Sequence, residues 1–295
     1  WGPALSFEAL AARAGQRIVD EGCGAVDVLS EILDSVSLGG QVYFYTCFSP
    51  PWAVEVPESR RVVRFHLVLA GNCHVAAGEQ AFDLATGDLI LIPQGASHVV
   101  ADRAGRLPSR LETVIADTGF AGEGCLIVGD RDDDAATRLL CGHFSFAPGS
   151  DHPLLRALPP ALVVTAAELS DNFWLGHILQ LIRERVASGQ LGSETAIRRM
   201  AEVVFAESIR CCANQAPDLE RLVAAFNDPR ISRALSVMHR LPEHRWTVAS
   251  LAHEAGMSRS RFAERFMDLV GMAPLAYLTE WRLQRARTLL KGTRG

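Results

Sequence analysis

The stretch WTVASLAHEAGMSRSRFAERFMDLVG, residues 246–271, has the apolar spacing of two helices joined by a tight turn. Thr247 stands where its hydroxyl can accept a hydrogen bond from a free amide at the start of the first helix. Gly256 follows the last apolar position of that helix, where a left-handed backbone favours glycine. Ser258 is the expected cap of the second helix. The stretch therefore predicts a helical hairpin.

The second helix has an apolar side and a cationic side. Its apolar positions are Phe262, Phe266, Leu269 and Val270. Between them lie Arg259, Ser260, Arg261, Ala263, Glu264 and Arg265. A helix that docks by an apolar side and presents cations outward is how a helix-turn-helix enters the major groove. The alternative is an ordinary helical hairpin with a solvated basic face.

The residues that follow extend the pattern with the run GMAPLAYLTEWRLQRARTLL from Gly271. Together with Phe262 and Phe266, this set resembles the first half of the DNA-binding domain of AraC/XylS-type transcription regulators. The resemblance covers about residues 228–290. It implies a second helix-turn-helix after the long linking helix, which we expect to lie outside a chain that stops at Gly295.

The resemblance also assigns roles to the cationic side of the second helix. The positions that in this family face base edges or their flanks are Arg259, Ser260, Ala263 and Glu264. Arg261 and Arg265 are expected at phosphates. Glutamate can accept a hydrogen bond from a cytosine amine, and alanine can contact a thymine methyl group. The implied partner is a double-stranded DNA operator.

The distribution of charge agrees with a nucleic-acid partner, although the net charge of the whole chain is −5. From residue 228 to residue 295 there are twelve Lys and Arg against six Asp and Glu. The rest of the chain carries seventeen against twenty-eight. Such asymmetry indicates a basic DNA-facing module on an acidic body.

Length and composition limit the class of protein. A chain of 295 residues predicts about two domains with ample core. No run approaches eighteen apolar residues, so we expect no membrane span. Seven cysteines without the spacing of a small disulfide scaffold favour reduced thiols and a cytoplasmic location.

Short runs rich in Val, Ile, Leu and Phe from residue 40 onward predict an antiparallel β-barrel or jelly roll. Within them, GDLILIPQGASH (residues 87–98) looks like the second cupin motif. The first cupin motif matches poorly, because its metal-ligand Glu falls at Arg64 and its paired His positions fall near Glu58 and Ser59 or Arg60. This departure argues against the rival interpretation, a cupin-type metalloenzyme with an appended helical domain.

A different set of possible ligands remains in the barrel. Alternation along a strand places Arg64, His66 and Val68 on one face, and His66 is expected to point inward with His98. Cys141 and His143 are two residues apart, hence on one face of a third strand. The four residues that form a sensible zinc set are His66, His98, Cys141 and His143. The alternative is hydrogen-bonded core histidines and a cysteine that acts as a small hydrophobe.

AraC-type regulators often carry a cupin barrel before the DNA-reading part, so the two resemblances together imply a sensor. A small molecule of unknown identity would enter the barrel. The residues expected to line its site are Phe44, Arg64, His66, Val68, His98 and His143. An inward Arg64 would favour a carboxylate or phosphate ligand. An ion pair between Arg64 and a core carboxylate is the alternative.

The resulting prediction is an α+β multidomain protein that is not an enzyme. It has a cupin-like sensing barrel over residues 24–165, a helical connector over 166–227 and an all-α helix-turn-helix domain over 228–295. The two amphipathic helices of the connector suit either a homodimer interface or internal packing. We therefore expect a homodimer that binds DNA and an effector.

Overall fold

The computed structural model describes residues 27–35, 39–59, 62–122, 124–146, 152–170, 173–188 and 191–292. A β-rich part comes first, then two long helices, then a cluster of C-terminal helices. This order confirms the predicted fold class. The predicted start of the barrel at residue 24 lies outside the described residues.

The strands of the β-rich part form two sheets. They are β1 Gly39–Phe48, β2 Ala53–Val56, β3 Val62–Ala70, β4 Asn72–Ala77, β5 Gln80–Ala85, β6 Leu89–Ile92, β7 His98–Ala101, β8 Ser109–Arg110, β9 Cys125–Val128, β10 Thr137–Ser145 and β11 Leu162–Val164. One sheet has the order β11-β6-β3-β10-β1-β9, and the other has the order β5-β4-β7-β2-β8. One apolar core takes side chains from both sheets, so the sheets face each other as in a barrel.

Strand β3 is buried on both sides, which explains its nearly continuous apolar sequence. Val68 belongs to the core between the sheets. Phe65 and Leu67 belong to a second core on the outer side. Because side chains alternate along the strand, successive residues of β3 face the two cores in turn.

Apart from Leu111–Thr118, which packs against the core between the sheets, the helices cover the outer face of the larger sheet and then form the C-terminal cluster. They are α1 Val28–Ser35, α2 Leu111–Thr118, α3 Pro153–Ala157, α4 Ala166–Ser170, α5 Phe173–Ser188, α6 Ser193–Cys211, α7 Pro217–Asn227, α8 Ile231–Arg240, α9 Val248–Glu254, α10 Arg259–Val270 and α11 Pro274–Gly292. The second core runs without a break from β3 and β10 through α5 and α6 to α10 and α11. The β-rich part and the C-terminal helices therefore share one apolar core.

Helix α7 packs against α10, although the predicted division places residues 217–227 in the connector. Leu219 and Leu222 of α7 are buried in the shared core. In the described ranges, no helix combines the length and apolarity needed to cross a bilayer.

The turn between β6 and β7 leaves no room for a side chain at Gly95. This residue has a φ of +60°, and a Cβ there would lie 1.9 Å from the carbonyl oxygen of Ser59. The Ser59 amide donates to the Gly95 carbonyl over 2.8 Å, so the turn and the loop before β3 are held together. This contact fixes the start of β7, where His98 lies.

We expect Gly95→Ala to lower the free energy of unfolding by about 3 kcal/mol, because it combines a left-handed alanine with a backbone clash. Gly78→Ala is the matched control, since Gly78 has a φ of +61° and nothing within 4 Å of its Cβ position. Only the strain of a left-handed alanine applies there, about 1 kcal/mol. Urea denaturation of both variants measures the difference, and equal losses would contradict the close contact.

Candidate functional site

The start of α9 is capped as the sequence predicts. Thr247 Oγ1 accepts a hydrogen bond from the Ser250 amide over 3.0 Å, and Ser250 Oγ accepts one from the Thr247 amide over 2.9 Å. Gly256 takes the left-handed conformation with a φ of +61°. Ser258 does stand at the N-cap of α10, but its side chain makes no capping hydrogen bond, which corrects that part of the prediction.

Helix α10 docks by the two phenylalanines that the sequence places inward. Phe262 and Phe266 are fully buried, with ring centroids 5.6 Å apart, and Phe266 lies edge-on to Tyr277. The opposite side of the helix is exposed over Arg259, Ser260, Arg261 and Glu264, whereas Ala263 is half-buried. The packing therefore turns a cationic and hydrogen-bonding surface away from the core.

Arg265 has an acidic partner within the chain. Its Nε and Nη2 lie 3.2 and 3.1 Å from Asp228 Oδ2. Burial acts to raise the pKa of Asp228, but amide hydrogen bonds from Ile231 and Arg230 and the contact with Arg265 hold that pKa below its ordinary value. A DNA phosphate would have to compete with Asp228 for Arg265.

A cavity of about 200 Å³ lies between the two sheets. Phe44, Arg64 and His66 line it, as the sequence predicts, and Cys141 lines it too. The structure places the other three predicted residues elsewhere. Val68 is fully buried in the core between the sheets, His98 contacts His66 from the opposite sheet, and His143 lies against the ring of Tyr43.

Sequence reasoning missed several lining residues, of which Tyr43 matters most. Both Tyr43 and Phe44 line the cavity, although neighbours on a regular strand point to opposite faces. The register between β1 and β10 shifts between Val42 and Phe44, and such a bulge breaks the alternation. Thr46 and Phe48 follow the regular period and were predictable from it.

Cys141, His66 and His98 form a hydrogen-bonded chain across the barrel. The Ala96 carbonyl lies 2.8 Å from His98 Nδ1 and only accepts, so we assign the proton of His98 to Nδ1. His98 Nε2 then accepts from His66 Nε2 over 2.7 Å. His66 Nδ1 in turn accepts from the Cys141 thiol over 3.1 Å. Every proton in this chain has a defined place.

Burial keeps this chain neutral. It lowers the pKa of His98 to about 4, despite the hydrogen bond to Ala96 and with help from the charge of Arg64. Burial also holds the pKa of His66 well below its ordinary value, and it raises the pKa of the Cys141 thiol. Protonating either histidine would remove the acceptor that the chain needs.

The geometry does not fit one zinc ion shared by these residues. Cys141 and His98 contact opposite ring nitrogens of His66, so the three side chains do not converge on a point. His143 lies apart from them, against Tyr43. Among the described residues, no three His, Cys, Asp or Glu side chains are grouped as a metal site. The observed positions of these side chains do not support the predicted zinc set. Zinc stays a prediction, and the proposed function does not depend on it.

Arg64 is 8% exposed, and its buried Nε has no hydrogen-bond partner. Its guanidinium carbon lies 5.9 Å from the centroid of the Tyr43 ring. No ion pair of Arg64 is found in the part of the chain that the structure describes. The core carboxylate that the sequence left open as its partner is therefore absent from the described residues.

A second hydrogen-bonded chain joins α1 and the segment before α3 to the C-terminal helices, and no sequence motif pointed to it. His152 Nδ1 accepts from the Leu154 amide, so its Nε2 donates to Tyr277 Oη over 3.0 Å. The Tyr277 hydroxyl then donates to His239 Nε2 over 2.7 Å, and His239 Nδ1 donates to Glu31 Oε2 over 3.2 Å. We call Glu31, His239, Tyr277 and His152 the Tyr277 relay.

The Tyr277 relay is buried and neutral at its centre. His152, His239 and Tyr277 are each almost wholly inaccessible to solvent. Burial lowers the pKa of His152 and of His239, the latter against the opposing effect of Glu31, and it raises the pKa of Tyr277. The relay connects α1, the segment before α3, α8 and α11.

These depressed pKa values predict acid-sensitive stability. The ordinary pKa of histidine is 6.5, so below that pH the histidines of the unfolded chain take up protons. In the folded protein the pKa is lowered for four buried histidines, which therefore stay neutral: His66, His98, His152 and His239. The contribution of these histidines to the free energy of unfolding is therefore fully present above that pH. Below it, the free energy of unfolding decreases by up to about 1.4 kcal/mol per pH unit for each histidine. For His98 the loss continues to a pH of about 4.

Urea denaturation between about pH 7.5 and pH 5 measures this slope. We expect His98→Gln to remove about one histidine's share of it, because Gln cannot titrate. His253→Gln is the matched control at an exposed position of α9. A free energy of unfolding that stays constant over this range would contradict the neutral chains.

Comparison with known proteins agrees with both parts of this geometry. A cupin family model matches residues 27–214, and a helix-turn-helix domain model matches residues 251–295. The chain is 30% identical over 269 residues to the HTH-type transcriptional regulator AlkR of Acinetobacter baylyi, covering 90% of this chain and 87% of that protein. It is 34% identical over 246 residues to an AraC-like transcription regulator of Streptomyces antibioticus, covering 82% and 78%. The chain therefore belongs to the AraC-type transcription regulators with an N-terminal cupin domain.

Proposed function

We propose that this regulator reads a double-stranded operator with α10 and that a small molecule in the barrel cavity controls the binding. The observation that carries the proposal is the burial of Phe262 and Phe266, which fixes the cationic side of α10 outward. The excess of Lys and Arg over residues 228–295 supports phosphate binding through counterion release.

The exposed residues of α10 support a division of tasks. We assign base edges to Arg259, Ser260, Ala263 and Glu264. Arg261 serves a phosphate, because it is exposed and has no contact with Asp228 of the kind that holds Arg265. Arg265 reaches a phosphate only by leaving Asp228, so its contribution to affinity is the smaller.

Coupling between cavity and operator runs through β3 and the Tyr277 relay. Arg64 and His66 face the cavity, while Phe65 faces the core shared with the C-terminal helices. A ligand that shifts β3 therefore shifts packing under α8 and α11. The relay holds these helices to α1 and to the segment at His152, so it sets the position of the reading head.

The remaining assignments follow from the same proposal. A homodimer is supported by Leu181 of α5 and Val203 of α6, which are 47% and 40% exposed. The protein acts on DNA in the cytoplasm and catalyses no reaction. An alternative cupin-type metalloenzyme would need metal ligands where the sequence has Arg64 and Glu58.

Two variants of α10 test the reading of DNA. Arg261→Ala removes a phosphate contact, so we expect weaker binding to every sequence and a salt slope shallower by about one unit. Glu264→Ala removes a base contact, so we expect relaxed sequence preference, with a loss of about 1–3 kcal/mol only on the preferred site.

Fluorescence anisotropy at two salt concentrations measures both effects, with a duplex selected from genomic DNA by the wild-type protein and a scrambled duplex. Arg103→Ala, an exposed position on the barrel, is the control and should change neither quantity. If Arg261→Ala and Glu264→Ala behave alike, the division of tasks is wrong. If neither alters binding, α10 is not the reading helix.

Tyr277→Phe tests the relay because it deletes only the hydroxyl. It leaves the His152 donor and the His239 acceptor without partners, which costs about 1–3 kcal/mol of stability. We expect faster hydrogen exchange in α1 and α3 as well as in α8 and α11. Tyr45→Phe, a half-buried tyrosine of β1, is the control. Faster exchange confined to α8–α11 would mean that the hydroxyl stabilises those helices without holding them to α1 and α3.

A further inference from the structure

We propose that the effector is a small apolar monoanion whose carboxylate pairs with Arg64. This inference rests on the proposed sensor role of the cavity and names the chemical class of its ligand. Three features carry it: a buried cation with no counter-ion among the described residues, apolar walls, and a histidine chain that offers no second charge.

The first feature is the buried guanidinium of Arg64. A buried charge is strongly unfavourable unless it is paired, and an arginine cannot become neutral by losing its proton. Arg64 is more than nine-tenths buried, lines the cavity and has an Nε without a partner. The face of Tyr43 offers the guanidinium only a weak substitute for an anion. In the described residues the cavity wall contains no Asp or Glu. Since the described residues supply no counter-ion, the proposed ligand supplies it.

The walls select the body of the ligand. Phe44, Phe48, Val54 and Val56 surround the space that Arg64 faces, and they bind an apolar group best. The volume of about 200 Å³ lies below the roughly 300–1,000 Å³ of pockets for drug-sized ligands, so the ligand is small. A ring or a short aliphatic chain fills such a space, whereas a long acyl chain exceeds it.

The polar groups next to Arg64 favour a ligand with a single negative charge. In the chain of Cys141, His66 and His98 every donor is used, and both histidines are neutral, so no second cation lies there. His143 pairs in register with Arg64 across β10 and β3, but it does not line the cavity. The planar fork of the Arg64 guanidinium can bind both oxygens of one carboxylate by itself. A phosphate dianion would keep a charge unpaired.

Thermal denaturation and calorimetry with benzoate and hexanoate test the proposal, with benzamide and hexanamide as neutral controls. We expect both carboxylates to raise the Tm of the wild-type protein and the amides to leave it unchanged. Arg64→Met should weaken carboxylate binding by at least about tenfold, since a charged hydrogen bond is lost. Arg64→Lys should keep part of the affinity, because it keeps the charge without the planar fork.

Arg64→Met provides a second readout that needs no ligand. In buffer without carboxylates it should be at least as stable as the wild-type protein, because it replaces an unpaired buried cation by an apolar side chain. A lower Tm would mean that Arg64 already has a stabilising partner, and it would overturn the proposal. Equal responses to carboxylates and amides, or equal binding by Arg64→Met, would overturn it as well.

Operator affinity measured on the same samples separates this inference from the proposed function. Carboxylate binding that depends on Arg64 but leaves operator affinity unchanged supports the ligand class and contradicts the sensor role. Operator affinity that responds to carboxylate equally in wild type and Arg64→Met supports a sensor and overturns Arg64 as its anchor. Elemental analysis of the wild-type preparation beside His98→Ala also tests the zinc prediction.

Discussion

The alternation of side chains along β3 is the constraint on which the rest of the structure depends. One face of this strand carries Arg64 and His66 into the cavity, and the other carries Phe65 and Leu67 into the core shared with the helices. Because the strand is covered on both sides, it cannot slip by one residue without exchanging polar cavity groups for core groups. Sensing and packing are thus fixed by a single register.

Both hydrogen-bonded chains follow the same physical rule. A buried imidazole stays neutral, so it has one donor and one acceptor, and a chain of such groups has a defined direction. In the barrel the direction runs from Cys141 to the Ala96 carbonyl. In the Tyr277 relay it runs from His152 to Glu31. The first chain holds the two sheets together, and the second holds α1 and the segment at His152 to the C-terminal helices.

Local signals made part of this protein predictable. The Thr247 cap, the apolar period of residues 246–271 and the turn before His98 depend on neighbours a few residues away, so the sequence identified both domains. The Arg265–Asp228 contact spans 37 residues and the His152–Tyr277 contact spans 125, and nothing local indicates either. The inward position of His66 and His98 was predictable from strand alternation. Whether they meet a metal or each other depends on side-chain rotation, which the sequence does not encode locally.

The unpaired Nε of Arg64 also bears on how long the protein survives in a cell. A ligand that binds only the folded state stabilises it in proportion to the logarithm of its concentration. Proteases remove the transiently opened chain, so the steady-state abundance of a regulator follows that stability. If the cavity accepts an anion, the metabolite that switches this regulator also sets the number of copies present to respond.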